Sequence, residues 1–441
     1  MKRKNPMQKN PMLKKVMQHL IPLLLAGAPA VSFAAVIGTM TPPEPVTESR
    51  IAALPAPQQA DWRAYLEHSR ALAAADKASL AAERAAAVPG SAAGPAAAVP
   101  ADPPEDHHGG AGMPLDRPAD WYGSAQARHV ADVIVSFQTP AGGWGKNVSR
   151  DGALRQRGQN WVASGTSFVG TIDNNATTTE LRFLARIQAQ APGAAGQAWR
   201  DAFLKGLRYL LDAQYPNGGF PQVYPLEGGY HDAVTFNDDA MVDVLALLAE
   251  VARRQDDYGA VPPEVAQRAR AALDKALAMI LSTQVVVGGA RTAWSQQHDA
   301  LSLAPVGARN FEPPALSSAE SAALIEYLMA LPAPSPAVVA AVHAGAAWLG
   351  KAALRDIAWT STPAGRQRVA KAGNGPLWSR YYDIGALQQG VVKPIFGDRD
   401  RSIHDDVNEL SLERRNGYAW YGARPAKALA AYRKWAASHP L

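Results

Sequence analysis

The chain has 441 residues with 47% hydrophobic character, enough for one large domain plus an appendage. The formal charge of +5 suggests a nucleic-acid partner, but Lys2, Arg3, Lys4, Lys9, Lys14 and Lys15 all lie in the first 34 residues; without these six of the 44 basic residues, 38 face 39 acidic ones. No phosphate-tracking basic patch remains, and zero cysteines exclude a disulfide framework and a cysteine nucleophile.

The lysine-rich start, the apolar run from about Leu20 to Phe33 and the small residues of Ser32-Phe33-Ala34 predict a signal peptide over 1–34 cleaved near Ala34, hence a secreted protein, periplasmic or extracellular. Pro22 and Pro29 break the run, so no membrane span is expected. An N-terminal extension follows over 35–118. In it, Trp62, Tyr65, Leu66, Leu72 and Leu80 predict an Ala-rich helix over about 61–87, and an Ala/Pro/Gly-rich linker runs over about 89–118.

Residues 119–441 are expected to form the catalytic domain. Helix-spaced apolar residues recur over 130–137, 177–189, 203–213, 239–252, 265–281, 319–330 and 338–353, with long Gly- and aromatic-rich loops between them. No alternating run is long enough to argue for a sheet, beyond a short strand at 284–287. A weak repeat is present. Gln138 is followed by Gly142-Gly143-Trp144, Gln214 by Gly218-Gly219-Phe220, and Gln284 by Gly288-Gly289 and Trp294; the glutamines are 76 and 70 residues apart. Two-helix units cannot close a core alone and must stack or close into a ring. The expectation is an all-α fold, an (α/α) toroid with its Gly-Gly loops gathered at one functional end. A monomer is expected.

Four segments can hold chemistry. They are Gly142–Asn147, Thr171–Glu180, His231–Met241 and Ala308–Glu320. Thr177 with Glu180, and Ser317 with Glu320, have capping-box spacing. Asp173, Asn174, Asp238 and Asp239 sit at two helix starts, where capping alone explains each singly. Brought together on one face, they supply the hard oxygen ligands that Ca²⁺ requires. Arg309 is either a salt-bridge partner of Glu312 or part of the site. Arg380 and Arg399 add guanidinium forks suited to carboxylates. There is no G-x-S-x-G elbow, Walker loop or H-E-x-x-H.

The motifs GGWGKN, TIDNNATTTE, QYPNGGFPQVYP, FNDDAM, ARNFEPPALSS, RYYDI, PIFGDRD and RRNGYAWYG, in this order, resemble the family 10 polysaccharide lyases, the pectate lyases with an (α/α) toroid. The resemblance implies an endo-acting, calcium-dependent β-eliminase on polygalacturonate. It implies calcium ligands at Asp173, Asn174 and Asp238, a catalytic base at Arg309, and substrate binding by Arg399, Arg380 and Lys146. Three rivals stay open: a glycoside hydrolase pairing Asp232 with Asp238 or Asp239, a pectin-binding protein stacking sugars on Trp144, Phe220 and Trp294, and a helical scaffold for protein partners.

Overall fold

Two rows of helices, one inside the other, form the body of the protein in the computed structural model. It describes residues 36–86, 99–106, 113–166, 169–191 and 193–441, of which Val36–Leu441 is one compact unit. The expected signal peptide, and part of the expected linker, lie outside the described residues. Helices α1 (Glu48–Ala52) and α2 (Ala56–Ala86) precede the body, which starts with α3 (Ala125–Ser136). There follow α4 (Thr178–Gln190), α5 (Gln197–Ala213), α6 (Ala240–Arg253), α7 (Pro263–Thr283), α8 (Ser318–Met329) and α9 (Pro336–Lys351). Two short helices, α10 (Ile384–Gln388) and α11 (Leu412–Gly417), lead to α12 (Arg424–Ala436).

Helices α4, α6 and α8 pack side by side as an inner row; α3, α5, α7 and α9 form the outer row, and α12 packs against α8 and α9. This is the expected toroid, and the repeated glutamines explain how it is stapled. Each amide ties its own loop to the next outer helix. Gln138 Nε2 donates to Gly142 O and to Ala202 O on α5, both at 2.8 Å. Gln214 Nε2 does so to Gly218 O at 3.0 Å and to Ala272 O on α7 at 2.8 Å. Gln284 Nε2 reaches Thr292 O at 3.0 Å and Ala341 O on α9 at 2.9 Å. The Gln284 pair is buried, so losing a partner there is costly, while the Gln138 and Gln214 pairs are half-buried.

The Gly-Gly turns have a stereochemical reason. Gly142 has φ +111°, and a Cβ on Gly143 would lie 2.4 Å from the Tyr209 ring. The third copy differs: Gly288 and Gly289, at φ +57° and +80°, turn a two-residue hairpin between Val286–Val287 and Ala290–Arg291. Trp144, Phe220 and Trp294 are fully buried loop anchors, with Trp144 Nε1 donating to Ile134 O (2.7 Å) and Trp294 Nε1 to Ile280 O (2.8 Å). They offer no face to a sugar, which removes the binding-protein reading built on them.

The hairpin of Ile357–Thr362 with Gly365–Ala370 is a sheet element that the absence of a long alternating run did not predict. Helix α12 was not expected either, its apolar positions being diluted by Arg424, Lys427, Arg433 and Lys434. Helix α2 docks on the body through its buried Trp62, Tyr65 and Leu66. Tyr65 Oη donates to Ala213 O (2.9 Å), and Asp76 Oδ1 accepts from Ala141 N (2.8 Å).

Candidate active site

The loops before α4 and α6 set the site. Asp173–Asn175 and Asn237–Asp239 are neighbouring single turns of tight helix. Asn174 (φ +51°), Asn175 (+62°), Asp238 (+47°) and Asp239 (+66°) all adopt left-handed backbone, which short Asx side chains tolerate best. Thr177, at φ +66°, is β-branched and is strained there, at a cost of about 1–3 kcal/mol. Its hydroxyl compensates: Oγ1 donates to Thr171 O (2.8 Å) and accepts from Trp144 N (3.1 Å). Neither expected capping box forms. Glu180 instead accepts from Arg150 Nε at 2.9 Å in a buried pair, and Glu320 accepts from Arg380 Nη2 at 2.6 Å and from Ser317. Both acids are spent on anchoring arginines under the site rather than on helix ends.

One cavity of about 130 Å³ is lined by Lys146, Asp173, Asn174, Asp238 and Arg309, together with Tyr230, Glu312 and the amides of Gln222, Asn237, Gln296 and Gln297. Lys146 Nζ lies 2.5 Å from Asp173 Oδ2. Asn174 Nδ2 donates to Asn147 Oδ1 at 3.2 Å. Arg380 Nη2 reaches Asp238 Oδ1 at 3.1 Å and Asn237 Oδ1 at 3.0 Å. Burial pulls the Arg380 guanidinium down, and Glu320 and neighbouring groups override it, so it stays firmly cationic.

Arg309 Nε and Nη2 both donate to the Glu312 carboxylate, at 2.9 and 2.7 Å, so the expected salt bridge is present inside the site. Tyr418 Oη donates to the same carboxylate at 2.7 Å, and the Arg309 guanidinium lies over the Phe311 ring at 4.8 Å. Burial raises the Glu312 carboxyl, but the bonds and charge of Arg309 prevail and hold it down at about 2. Burial lowers Arg309 and Glu312 lifts it above its ordinary value. His231 is pushed down to about 4 by burial and by Lys146, with Asp173 opposing, so its imidazole is neutral at pH 7.

Two residues of interest point elsewhere. Asp239 turns to α12, where Arg424 Nη1 donates to it at 2.7 Å, and it does not line the cavity. Asp232 is buried and accepts from Val46 N (3.0 Å) and Gly228 N (2.7 Å), so it is a backbone anchor, and the Asp232-based acid/base pair is not formed. Arg399 is 68% exposed and 3.8 Å from Glu413, outside the cavity lining. Sequence reasoning missed the glutamine lining, Tyr230 and Tyr418. These carry no charge or spacing signal, and only the Gln222 and Tyr418 motifs hinted at them.

A family model described as pectic acid lyase matches residues 138–429. Two solved structures are similar over most of the chain. The first is a family 10 polysaccharide lyase from Cellvibrio cellulosa, 32% identical, covering 74% of this chain and 97% of its own, at a TM-score of 0.61. The second is an aspartate-to-alanine variant of a family 10 polysaccharide lyase from Cellvibrio cellulosa in complex with trigalacturonic acid, with the same identity and TM-score and 98% of its own chain covered. No curated protein matches.

Proposed function

Because this chain belongs to the pectic acid lyases, family 10 of the polysaccharide lyases, we propose that it cleaves polygalacturonate by calcium-dependent β-elimination in the cavity at the start of α4 and α6. The observation that carries this reading is the shared lining of that cavity by Lys146, Asp173, Asn174, Asp238 and Arg309. The similar lyase in complex with trigalacturonic acid supports a polygalacturonate substrate.

The donor set fits a hard cation. Asp173 and Asp238 offer carboxylates and Asn174 an amide oxygen, with no soft ligand among them. Among the described residues no group of three His, Cys, Asp or Glu side chains is gathered as a metal site. Six to eight oxygens therefore require the substrate's carboxylates and water as well. Bound there, Ca²⁺ would neutralise the uronate carboxylate and make the C5 proton more acidic.

The chain's own residues do the rest. Lys146 and Arg380, now paired with Asp173 and Asp238, hold the uronate carboxylates, and Arg399 holds a further uronate from the rim. Arg309 removes the C5 proton; the C5–H electron pair forms the C4–C5 double bond, and the C4–O bond breaks with its pair going to the leaving oxygen. Arg309 must first shed a proton. Burial favours this, while Glu312 opposes it. The lysine-rich, apolar leader supports secretion, and no helix of the described residues is long and apolar enough to cross a membrane.

The test is ultraviolet absorbance of the unsaturated uronate on polygalacturonate, with Ca²⁺ and then with chelator. Absorbance that chelator abolishes upholds the reading. Reducing ends without absorbance would replace it with hydrolysis.

A further inference from the structure

The N-terminal arm reaches the catalytic cavity although the family match begins only at residue 138. Its first strand, Val36–Thr39, pairs antiparallel with Ser402–His404. Met40 N then donates to Arg401 O at 2.9 Å. Val46 N is held by Asp232 at 3.0 Å and Arg50 by Asp299 at 2.5 Å. Between these fixed points the stretch Met40–Pro43 bridges the edge of the site.

There it walls a second cavity, about 360 Å³, whose lining includes Met40, Pro42, Pro43, Phe311 and Arg401. Tyr230, Ala308 and Arg309 line both this cavity and the catalytic one. The two spaces therefore meet at the catalytic arginine, but their chemistry differs. The catalytic cavity is mostly carboxylate, amide and cation; the second is mostly apolar, with Met40, the rings of Pro42 and Pro43 and the Tyr230 ring beside Arg309, Asn310 and Arg401. Sugar rings have apolar C–H faces that pack on such surfaces, and a ring joined to the one being cleaved must leave the catalytic cavity through an adjoining space.

We propose that the arm builds an additional subsite of the lyase cleft, in which Pro42, Pro43 and Tyr230 take the apolar face of one further galacturonate ring of the same chain. This rests on the lyase reading above. The catalytic residues act without it; the subsite adds binding for chains long enough to reach the arm. Its contribution should appear as a step in kcat/KM at one chain length.

The test is kcat/KM, with binding by calorimetry, on tri- through hexagalacturonate for the wild type, Pro42→Trp and Pro42→Ala. Pro42 is exposed, so both variants should fold, and Trp in its place should obstruct the cavity that Pro42 lines. The wild type is expected to gain about tenfold at one length. Pro42→Trp should erase that gain and leave shorter chains within about twofold. Pro42→Ala should keep most of it. A loss in Pro42→Trp that is equal at every length, no step in the wild type, or a step that survives in Pro42→Trp overturns the subsite while leaving the lyase reading intact. A wild type that neither binds nor cleaves any length overturns both.

Discussion

Arg309 and Glu312 form a two-pronged bridge within the cavity that Asp173 and Asp238 also line, Nε and Nη2 on the two carboxylate oxygens. Glu312 is thereby held ionised well below its ordinary value of 4.5, at about 2. A carboxylate depressed in this way adds stability that is fully present above about pH 4.5 and is lost as pH falls through about 2. Glu312→Gln should remove that acid-side loss, and its unfolding midpoint should change less than that of the wild type over that window. The same substitution frees the guanidinium to lose its proton, so the pH profile of kcat should move to lower pH. Unchanged profiles in both measurements would mean that the bridge is incidental.

Arg309 itself separates a catalytic from a binding role. Arg309→Ala should lower kcat about 10³-fold with KM changed only a few-fold. Arg309→Lys should recover part of the rate, rising with pH as the amine deprotonates. An alanine variant that keeps its turnover while KM rises would reduce Arg309 to a substrate clamp, and a flat pH response in the lysine variant would make it an electrostatic partner rather than the proton acceptor.

Helix periodicity and the glutamine repeat made the toroid legible, because both are local patterns with one physical cause each: an apolar stripe to bury, and an amide that staples loop to helix. The site was legible in part. Asp173, Asn174, Asp238, Lys146 and Arg309 were named from sequence, and they share one cavity. The direction of a side chain was not legible. Asp238 and Asp239 are adjacent, yet one faces the cavity and the other Arg424, which lies 185 residues away. Glu180 and Glu320 have capping-box spacing but serve buried arginines instead, because an unpaired buried guanidinium costs more than an open cap. The hairpin at 357–370 was missed because its strands are half-exposed and short on apolar residues.

Helix α2 docks with a buried charge. The Asp76 carboxyl is raised to about 6 by burial, with the Ala141 hydrogen bond and Lys205 opposing. A raised carboxyl contributes stability that is complete below its ordinary 3.8 and is lost as pH rises through about 6. Asp76→Asn keeps the acceptor for Ala141 N and removes the ionisation. Its unfolding temperature should match the wild type near pH 4 and exceed it near pH 7, by an amount equivalent to roughly 2 kcal/mol. A constant difference at all pH would place the effect in packing, not in charge.

The acid pair at the start of α6 gives the sharpest test of the calcium proposal. Asp173 and Asp238 line the cavity, each already carrying a basic partner, Lys146 at 2.5 Å and Arg380 at 3.1 Å. Asp173→Asn and Asp238→Asn should each raise the calcium concentration needed for half-maximal rate by about 10–100-fold, while excess calcium restores part of the activity. Asp239→Asn, whose carboxylate is directed to Arg424, should leave the calcium requirement within about twofold and lower thermal stability slightly, since an ion pair this exposed contributes about 1 kcal/mol or less. The comparison holds neighbouring sequence and charge change constant, so only the direction of the side chain differs. Calcium titration of the rate for all three variants decides it: equal shifts at Asp238 and Asp239 would mean that the cation recruits both, and no shift at Asp173 or Asp238 would remove them as ligands.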